Sequence, residues 1–457
     1  MSTQLKADSL SFFEAIIMGV AGSAPAFSIA VAIAGLLGAA GTVSPNALII
    51  FAVPMLGIAV AYKGLSKEMP HAGAAYQWTK QGFGQFFGYF SGWALLVAAP
   101  VFMVTGAVPL GTATIDLFDP TLANNVWLTT VIGAEWFVLI GMILISGIEL
   151  TARVQTVMSV VEIGLLFIIA IAAYLHSGGS GLPFSWSWFG FHYTTATFAS
   201  SALLVVFLYW GWDVTANLGE ETKNGQNNPA GNGGFYSVFF TISSFVAFTV
   251  AALMMFSLSE ASGFSDNLIY HVALAAGLGK VGADAASLAL ILSSVATLET
   301  TMLQFSRTLF AMGRDRALPG CFGKVDARTM TPVRTMYLLI GVGLVMILAS
   351  SFLPSIAAIL TDSVSAIAVQ VCYYYGLAGL VCAKLYARTL RQSPGTWLFY
   401  AAYPFLSAIA LFVLGIYAFS TFNMMTKIVG LGGLALGVLF YRPSGYGTHI
   451  ADILAEE

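Results

Sequence analysis

Long apolar runs separated by short polar connectors repeat along the whole chain. A helix needs about 20 mainly apolar residues to cross the hydrocarbon layer, because every backbone N–H and C=O there must be satisfied within the structure itself. That window predicts twelve spans. The first six are Phe12–Leu37, Pro45–Tyr62, Phe86–Leu110, Val126–Ile148, Val154–Leu175 and Thr197–Leu218. The rest are Phe235–Leu258, Ala285–Met312, Thr335–Phe352, Ile356–Leu385, Trp397–Phe419 and Met424–Phe440. A strand barrel does not fit, because its segments alternate polar and apolar residues over about 10 positions. The short connectors and tails predict one all-α transmembrane domain over 1–457, with no room in this sequence for a soluble catalytic domain.

Composition agrees: 58% of the residues are apolar and only 9% charged, 18 Lys+Arg and 21 Asp+Glu in 457. Soluble domains carry about 25% charge. A net charge of −3 without a basic block makes nucleic acid an implausible partner. Cys321, Cys372 and Cys382 form no CxxC pair, and the five histidines fall in no HExxH motif, so no metal or cofactor is expected. No P-loop is present, and no nucleophile–base pair stands out among the spans, which counts against an ATP-driven pump and an embedded enzyme. The first apolar run continues past any cleavage site, so a cleaved signal peptide is not expected.

The basic residues set an orientation. With the N-terminus in the cytoplasm, 16 of the 18 Lys and Arg fall on cytoplasmic connectors, tails or helix ends, and only Lys280 and Lys427 fall outside. Both termini are therefore expected on the cytoplasmic side of the cell membrane.

Two spans carry interruptions. In the first, Gly22, Ser23 and Ala24 precede Pro25 at mid-membrane, where proline removes a donor and clashes with the preceding turn. The sixth reads Tyr209-Trp210-Gly211-Trp212-Asp213. A kink or small-residue helix contact explains either one alone. Matched breaks in two halves of a chain, however, point to a transporter's midplane binding site.

These segments resemble the amino acid–polyamine–organocation transporter family, and the likeness covers nearly the whole chain. Gly22-Ser23-Ala24 is similar to the family's small-residue break, with Ala at the third position where the family has Gly. The sixth-span break ends in Glu220-Glu221, and Glu68–Tyr76 matches the segment between spans two and three. Ser306–Pro319, with Thr331-Pro332-Val333 downstream, is the most specific match. The resemblance implies a five-plus-five inverted-repeat (LeuT-type) core, residues 12–175 and 197–385, with two further helices in 397–440. It also implies alternating-access transport of amino acids or related amines, driven by protons or by exchange, in a monomer or homodimer.

Acids inside the spans are costly, about 2.5–3.5 kcal/mol on insertion scales, so each is a candidate. Glu14 lies near the end of span one and is read as reaching water. Glu135 and Glu299 suit structural hydrogen bonding as well as function. Asp213 either stabilises the span-six break or meets a substrate ammonium. Glu162 lies nine residues after Arg153, about 13 Å along the helix and near the midplane. By resemblance, proton-coupled members often place Lys there; a carboxyl instead is a candidate proton carrier, with a cationic-substrate partner or a satisfied structural acid as alternatives. Ser293, Ser294 and Thr297 form a candidate sodium site, although such hydroxyls more often bond within helices. Tyr373–Tyr375 reads as a packing face or as part of pathway closure near span six.

For recognition, the Gly22–Ala24 amides are the candidate ligands of a substrate carboxylate, with Tyr209 to Asp213 forming the opposite wall and Trp210 and Trp212 shaping the pocket. An amine without a carboxylate, facing Glu162 and Asp213, is the alternative. A channel would show a filter repeat or charged rings, and neither is present.

Overall fold

The computed structural model describes residues 3–123, 125–176, 181–223, 228–264, 267–352, 356–391, 393–421 and 424–445. Among them there is no strand, only one isolated bridge between Leu10 and Thr222. The first span is split into α1 (Phe12–Ser23), α2 (Pro25–Phe27) and α3 (Ile33–Ala40), with a π turn at Ser28–Ala32. The helices α4 (Ser44–Glu68), α5 (Ala75–Phe83), α6 (Gln85–Asp116), α7 (Val126–Ile145) and α8 (Ile148–Leu175) complete the first half. The sixth span divides into α9 (Thr195–Leu208) and α10 (Val214–Asn217). Then come α11 (Pro229–Met255), α12 (Leu258–Gly263), α13 (Leu268–Ala273), α14 (Gly279–Arg314), α15 (Val333–Ser350) and α16 (Ile356–Tyr386). The chain ends in α17 (Pro394–Trp397), α18 (Tyr403–Thr421), α19 (Met424–Lys427) and α20 (Gly433–Phe440).

Nine helical stretches among the described residues are long and apolar enough to cross a membrane, where the sequence predicts twelve spans. The difference has a simple origin. Phe12–Glu68 is one 57-residue stretch that holds two predicted spans, and Thr195–Leu208 and Ile428–Phe440 are shorter apolar helices. α5, α12 and α13 are short helices within segments that hydropathy alone predicts as connectors. The protein is an all-α, multi-pass membrane protein.

Local chemistry places the helix ends. Ser11 and Glu14 form a capping box at α1: the Ser11 amide donates to Glu14 Oε2 at 2.7 Å, and the Glu14 amide donates to Ser11 Oγ at 3.3 Å. Each bond satisfies a donor that a helix start otherwise leaves orphaned, so Glu14 has a capping role. α14, 36 residues and about 54 Å long, packs against α1, α6, α7 and α8. Apolar side chains such as Met142, Val157, Phe167 and Val345 cover the outside of α7, α8 and α15, where lipid meets the protein.

Candidate functional site

The span-one break is a single left-handed residue. Ala24 sits at φ 46°, ψ 68°, a conformation that costs an L-residue roughly 1–2 kcal/mol, and Pro25 restarts the helix at its first position, where its missing N–H costs little. The Ala24 amide is spent on the Val20 and Ala21 carbonyls, both at 3.1 Å. The Ala26 amide donates to Glu162 Oε1 at 3.0 Å. Ser23 and Ser28 turn their hydroxyls onto the Gly19 and Ser23 carbonyls. Glu162 thus holds the head of α2.

The span-six break lies directly against it. Gly211 has φ 101°, open to glycine and strained for other residues. A Cβ on Gly22 would collide with the Gly211 carbonyl, and one on Gly211 would collide with the Gly22 carbonyl. The two glycines let the two interrupted backbones touch.

Asp213, 1% exposed, is held by three side chains. Gln304 donates to Oδ2 at 2.6 Å, Tyr374 to Oδ2 at 3.0 Å, and Tyr375 to Oδ1 at 2.8 Å. Trp210 Nε1 donates to the Tyr374 hydroxyl at 2.5 Å, which locks span six to α16. Trp212 packs between Tyr62 and Tyr375. Tyr209 points away from the break: it donates to the Leu48 carbonyl at 3.0 Å and stacks on Phe245. A small cavity bordered by Asp213, Asn217, Gln304, Thr308 and Tyr76 encloses about 10 Å³, room for about one water. That volume is too small to hold an amino acid.

Glu162 is fully buried, and among the described residues its Oε2 and the Ser293 Oγ are close neighbours that fall short of a well-formed hydrogen bond. Ser293 faces this carboxyl from α14. Thr297 donates to the Gly22 carbonyl at 3.1 Å, whereas Ser294 bonds the Leu290 carbonyl within its own helix. Of the candidate cation ligands, Ser293 and Thr297 therefore face the break region and Ser294 is spent on α14.

Two acids differ from their sequence reading. The hydroxyls beside Glu299 serve other groups: Thr297 bonds Gly22, and Thr300 bonds the Ala296 and Thr297 carbonyls. Among the described residues, Glu299 Oε1 is buried without a partner. Glu135 stands exposed on the outer face of α7, beside a groove lined by Val138, Met142 and Leu344. Uniformly apolar spans hide which face is lipid-facing, so sequence could not place it.

A polar network closes one end of the bundle, and it escaped the sequence reading as a unit. Arg307 and Glu221, both 0% exposed, form a bidentate pair at 3.0 and 2.8 Å. Arg314 pairs with Glu220, with bonds of 2.9 and 2.6 Å, and the Ala72 amide donates to the same carboxylate at 2.9 Å. Burial pushes the Glu220 carboxyl up, but these bonds and the Arg314 charge outweigh it, leaving the group below its usual range. His71 Nε2 lies 2.9 Å from Arg314 Nη2, and the Gly73 amide donates to Nδ1. Burial lowers the His71 pKa; Glu220 works against that shift and Arg314 adds to it, so the net shift is downward. Asn217 ties the break to this network through the Ala72 carbonyl at 2.7 Å and Thr308 at 3.0 Å. Lys80 pairs with Asp315 at 2.7 Å. Adjacent Glu residues and the arginine-rich end of span eight were visible in the sequence; their pairing was not.

Comparison with known proteins places this architecture. Residues 10–434 match the amino acid permease family. The chain is 25% identical to the branched-chain amino acid permease BcaP of Lactococcus lactis, over 85% of this chain and 84% of that protein. It is 27% identical to the methylthioribose transporter of Bacillus subtilis, over 74% and 75% of the two. It is 24% identical to the serine/threonine exchanger SteT of Bacillus subtilis, over 83% of each. Two backbone breaks in contact at the centre of an apolar helical bundle fit a carrier better than an enzyme, and the matched proteins are transporters. The chain belongs to the amino acid permease family, within the amino acid–polyamine–organocation superfamily.

Proposed function

We propose that the protein is a proton-coupled secondary transporter that carries an amino acid across the plasma membrane by alternating access, with both termini in the cytoplasm. Residues 12–175 and 197–385 act as the two inverted repeats, and 397–440 supplies the additional helices. One observation carries the coupling: a fully buried carboxyl, Glu162, grips the amide freed by the span-one break. As a carboxylate it accepts the Ala26 N–H; its protonated form gains an O–H that seeks an acceptor among the carbonyls of the break. Proton binding and the shape of the break are thereby linked. The relatives' names support an amino acid as substrate.

The substrate binds where the breaks meet once they part, its carboxylate on the Gly22, Ser23 and Ala24 segment, whose Ala24 amide is here spent on Val20 and Ala21, and beside Gly211. Trp210 and Trp212 flank it, Tyr209 anchors the outer part of span six to α4, and Asp213 stabilises the span-six break through Gln304, Tyr374 and Tyr375. The buried oxygens of Glu162 and Ser293, which face each other without a well-formed hydrogen bond among the described residues, also suit a monovalent cation with Thr297 nearby, which makes sodium coupling the second reading.

A thermal-shift screen of purified protein against amino acids, polyamines and simple amines, repeated with sodium and with choline, tests both. Stabilisation by amino acids independent of sodium is expected. Stabilisation by amines alone removes the carboxylate-binding role of the span-one break, and sodium-dependent stabilisation favours the second reading.

A further inference from the structure

The buried face of α8 changes chemistry at Glu162. Between that residue and the N-terminal end of the helix, the face presents Thr151, Gln155 and Ser159, each 0% exposed. Only the apolar Ile148 and Ala152 lie among them. Beyond Glu162 the same face continues as Leu166, Ile169 and Ala173. Spacings of four, four and three residues put the polar side chains on one stripe. On the buried face of α8, polar side chains therefore lead from Glu162 toward the end that carries Arg153.

The hydrogen bonds along the stripe have a direction too. Gln155 Nε2 donates to Ser159 Oγ at 3.1 Å. Thr151 and Thr156 both spend their hydroxyls on the carbonyl four residues back; Ser159 makes no such bond among the described residues. Its hydrogen is left for the next polar group up the face, and Glu162, three residues on, is its neighbour there. Among the described residues, Gln155 Oε1 is a buried polar atom without a partner along this seam, and Glu162 Oε2 and Ser293 Oγ face each other without a well-formed hydrogen bond. Buried polar atoms are normally satisfied by protein or by ordered water. α14, which carries Ser293, packs along α8.

We propose that Ser159 and Gln155 form the proton's route between Glu162 and the Arg153 end of α8, with Ser159 as relay and Gln155 as the positioning residue. This rests on the coupling role given to Glu162 above. In the step, the Ser159 hydroxyl turns its hydrogen toward a water held at Gln155 Oε1 and presents a lone pair to Glu162; Glu162 then gives its carboxylic proton to the Ser159 oxygen as the hydroxyl's own proton passes to that water. Glu162 is left as a carboxylate, and the proton leaves as hydronium at the helix end; nothing is oxidised or reduced. By donating to the Ser159 oxygen, Gln155 Nε2 holds it in the seam while the hydroxyl hydrogen stays free to turn between Glu162 and the water. From Leu166 onward the buried face of α8 is apolar and offers no such relay.

The test uses the full-length protein in proteoliposomes, with radiolabelled leucine, serine and lysine as parallel probes and an internal pH dye. Ser159→Ala and Gln155→Leu are expected to slow pH-gradient-driven uptake and proton influx by about tenfold or more. Exchange of internal for external amino acid at equal pH, which needs no net proton movement, stays within about twofold of wild type, and Ser159→Thr restores the gradient-driven rate. Wild-type gradient-driven rates in both variants overturn the relay. So does an equal loss of exchange and uptake together with a lowered melting temperature, which marks a structural role. Glu162→Gln, assayed alongside, separates the two levels. If it stays coupled, the reading beneath this one fails; if it uncouples while the other two variants behave as wild type, the relay alone fails.

Discussion

Breaking the Arg307–Glu221 pair should be among the most damaging single changes in the protein. Both side chains are 0% exposed and bonded twice, at 3.0 and 2.8 Å, and Arg307 Nη1 already lacks a partner. Glu221→Leu leaves a guanidinium buried without its counter-charge, and removing one partner of such a pair costs about 3–5 kcal/mol. An unfolding entropy of about 2.1 cal/mol/K per residue, taken over 457 residues, is roughly 1 kcal/mol/K, so the melting temperature should fall by about 3–5 °C. Arg307→Met should cost a similar amount. The double variant should recover most of the loss, because replacing both charges with apolar groups of similar volume is often neutral. Thermal unfolding of the purified variants in one detergent, followed by tryptophan fluorescence, measures all three. Single variants that melt like wild type, or a double variant worse than either, would refute the argument that charge burial dominates here.

Three further outcomes follow from the geometry. Gly22→Ala and Gly211→Ala each drive a Cβ into the opposing glycine carbonyl; overpacking of this kind costs about 1–3 kcal/mol, and uptake in whole cells should fall far more than surface expression. Asp213→Asn replaces an oxygen acceptor with an NH₂ that faces the donors Gln304, Tyr374 or Tyr375, so a loss of about 1–3 kcal/mol should appear as a lower melting temperature. The closed end should loosen in acid: His71 and Glu220 both have folded pKa values below their ordinary ones, so each contributes stability above its ordinary pKa that is lost as pH falls through the folded value. Melting temperature should therefore decline first as pH drops below the ordinary His value of 6.5 and again through the acidic Glu range, and His71→Gln should flatten the first decline only.

The sequence made the membrane class legible because crossing helices must be apolar along their length, and that requirement survives any tertiary arrangement. The breaks were legible for a related reason: Gly22, Pro25 and Gly211 are residues whose backbone preferences act locally. Partnerships were not. Glu162 meets Ala26 across 136 positions, and Gln304 meets Asp213 across 91; a lone Gln in span eight registers only as a dip in hydropathy. Tyr374 and Tyr375 read equally well as a packing face or as part of closure near span six, and only their bonds to Asp213 place them beside the break. Glu135 shows the reverse failure, because an apolar span gives no periodicity from which to tell the lipid face from the buried one.

The central claim is that Glu162 links proton binding to the span-one break. Glu162→Gln keeps the size of the side chain and a carbonyl oxygen for the Ala26 amide while removing the ionisable group. Proteoliposomes loaded at high internal pH and diluted into acidic buffer should accumulate labelled amino acid above equilibrium with the wild-type protein. With Glu162→Gln, uptake should stop at the equilibrium level and become insensitive to the gradient, while exchange persists. Full gradient-driven accumulation by Glu162→Gln would contradict the account.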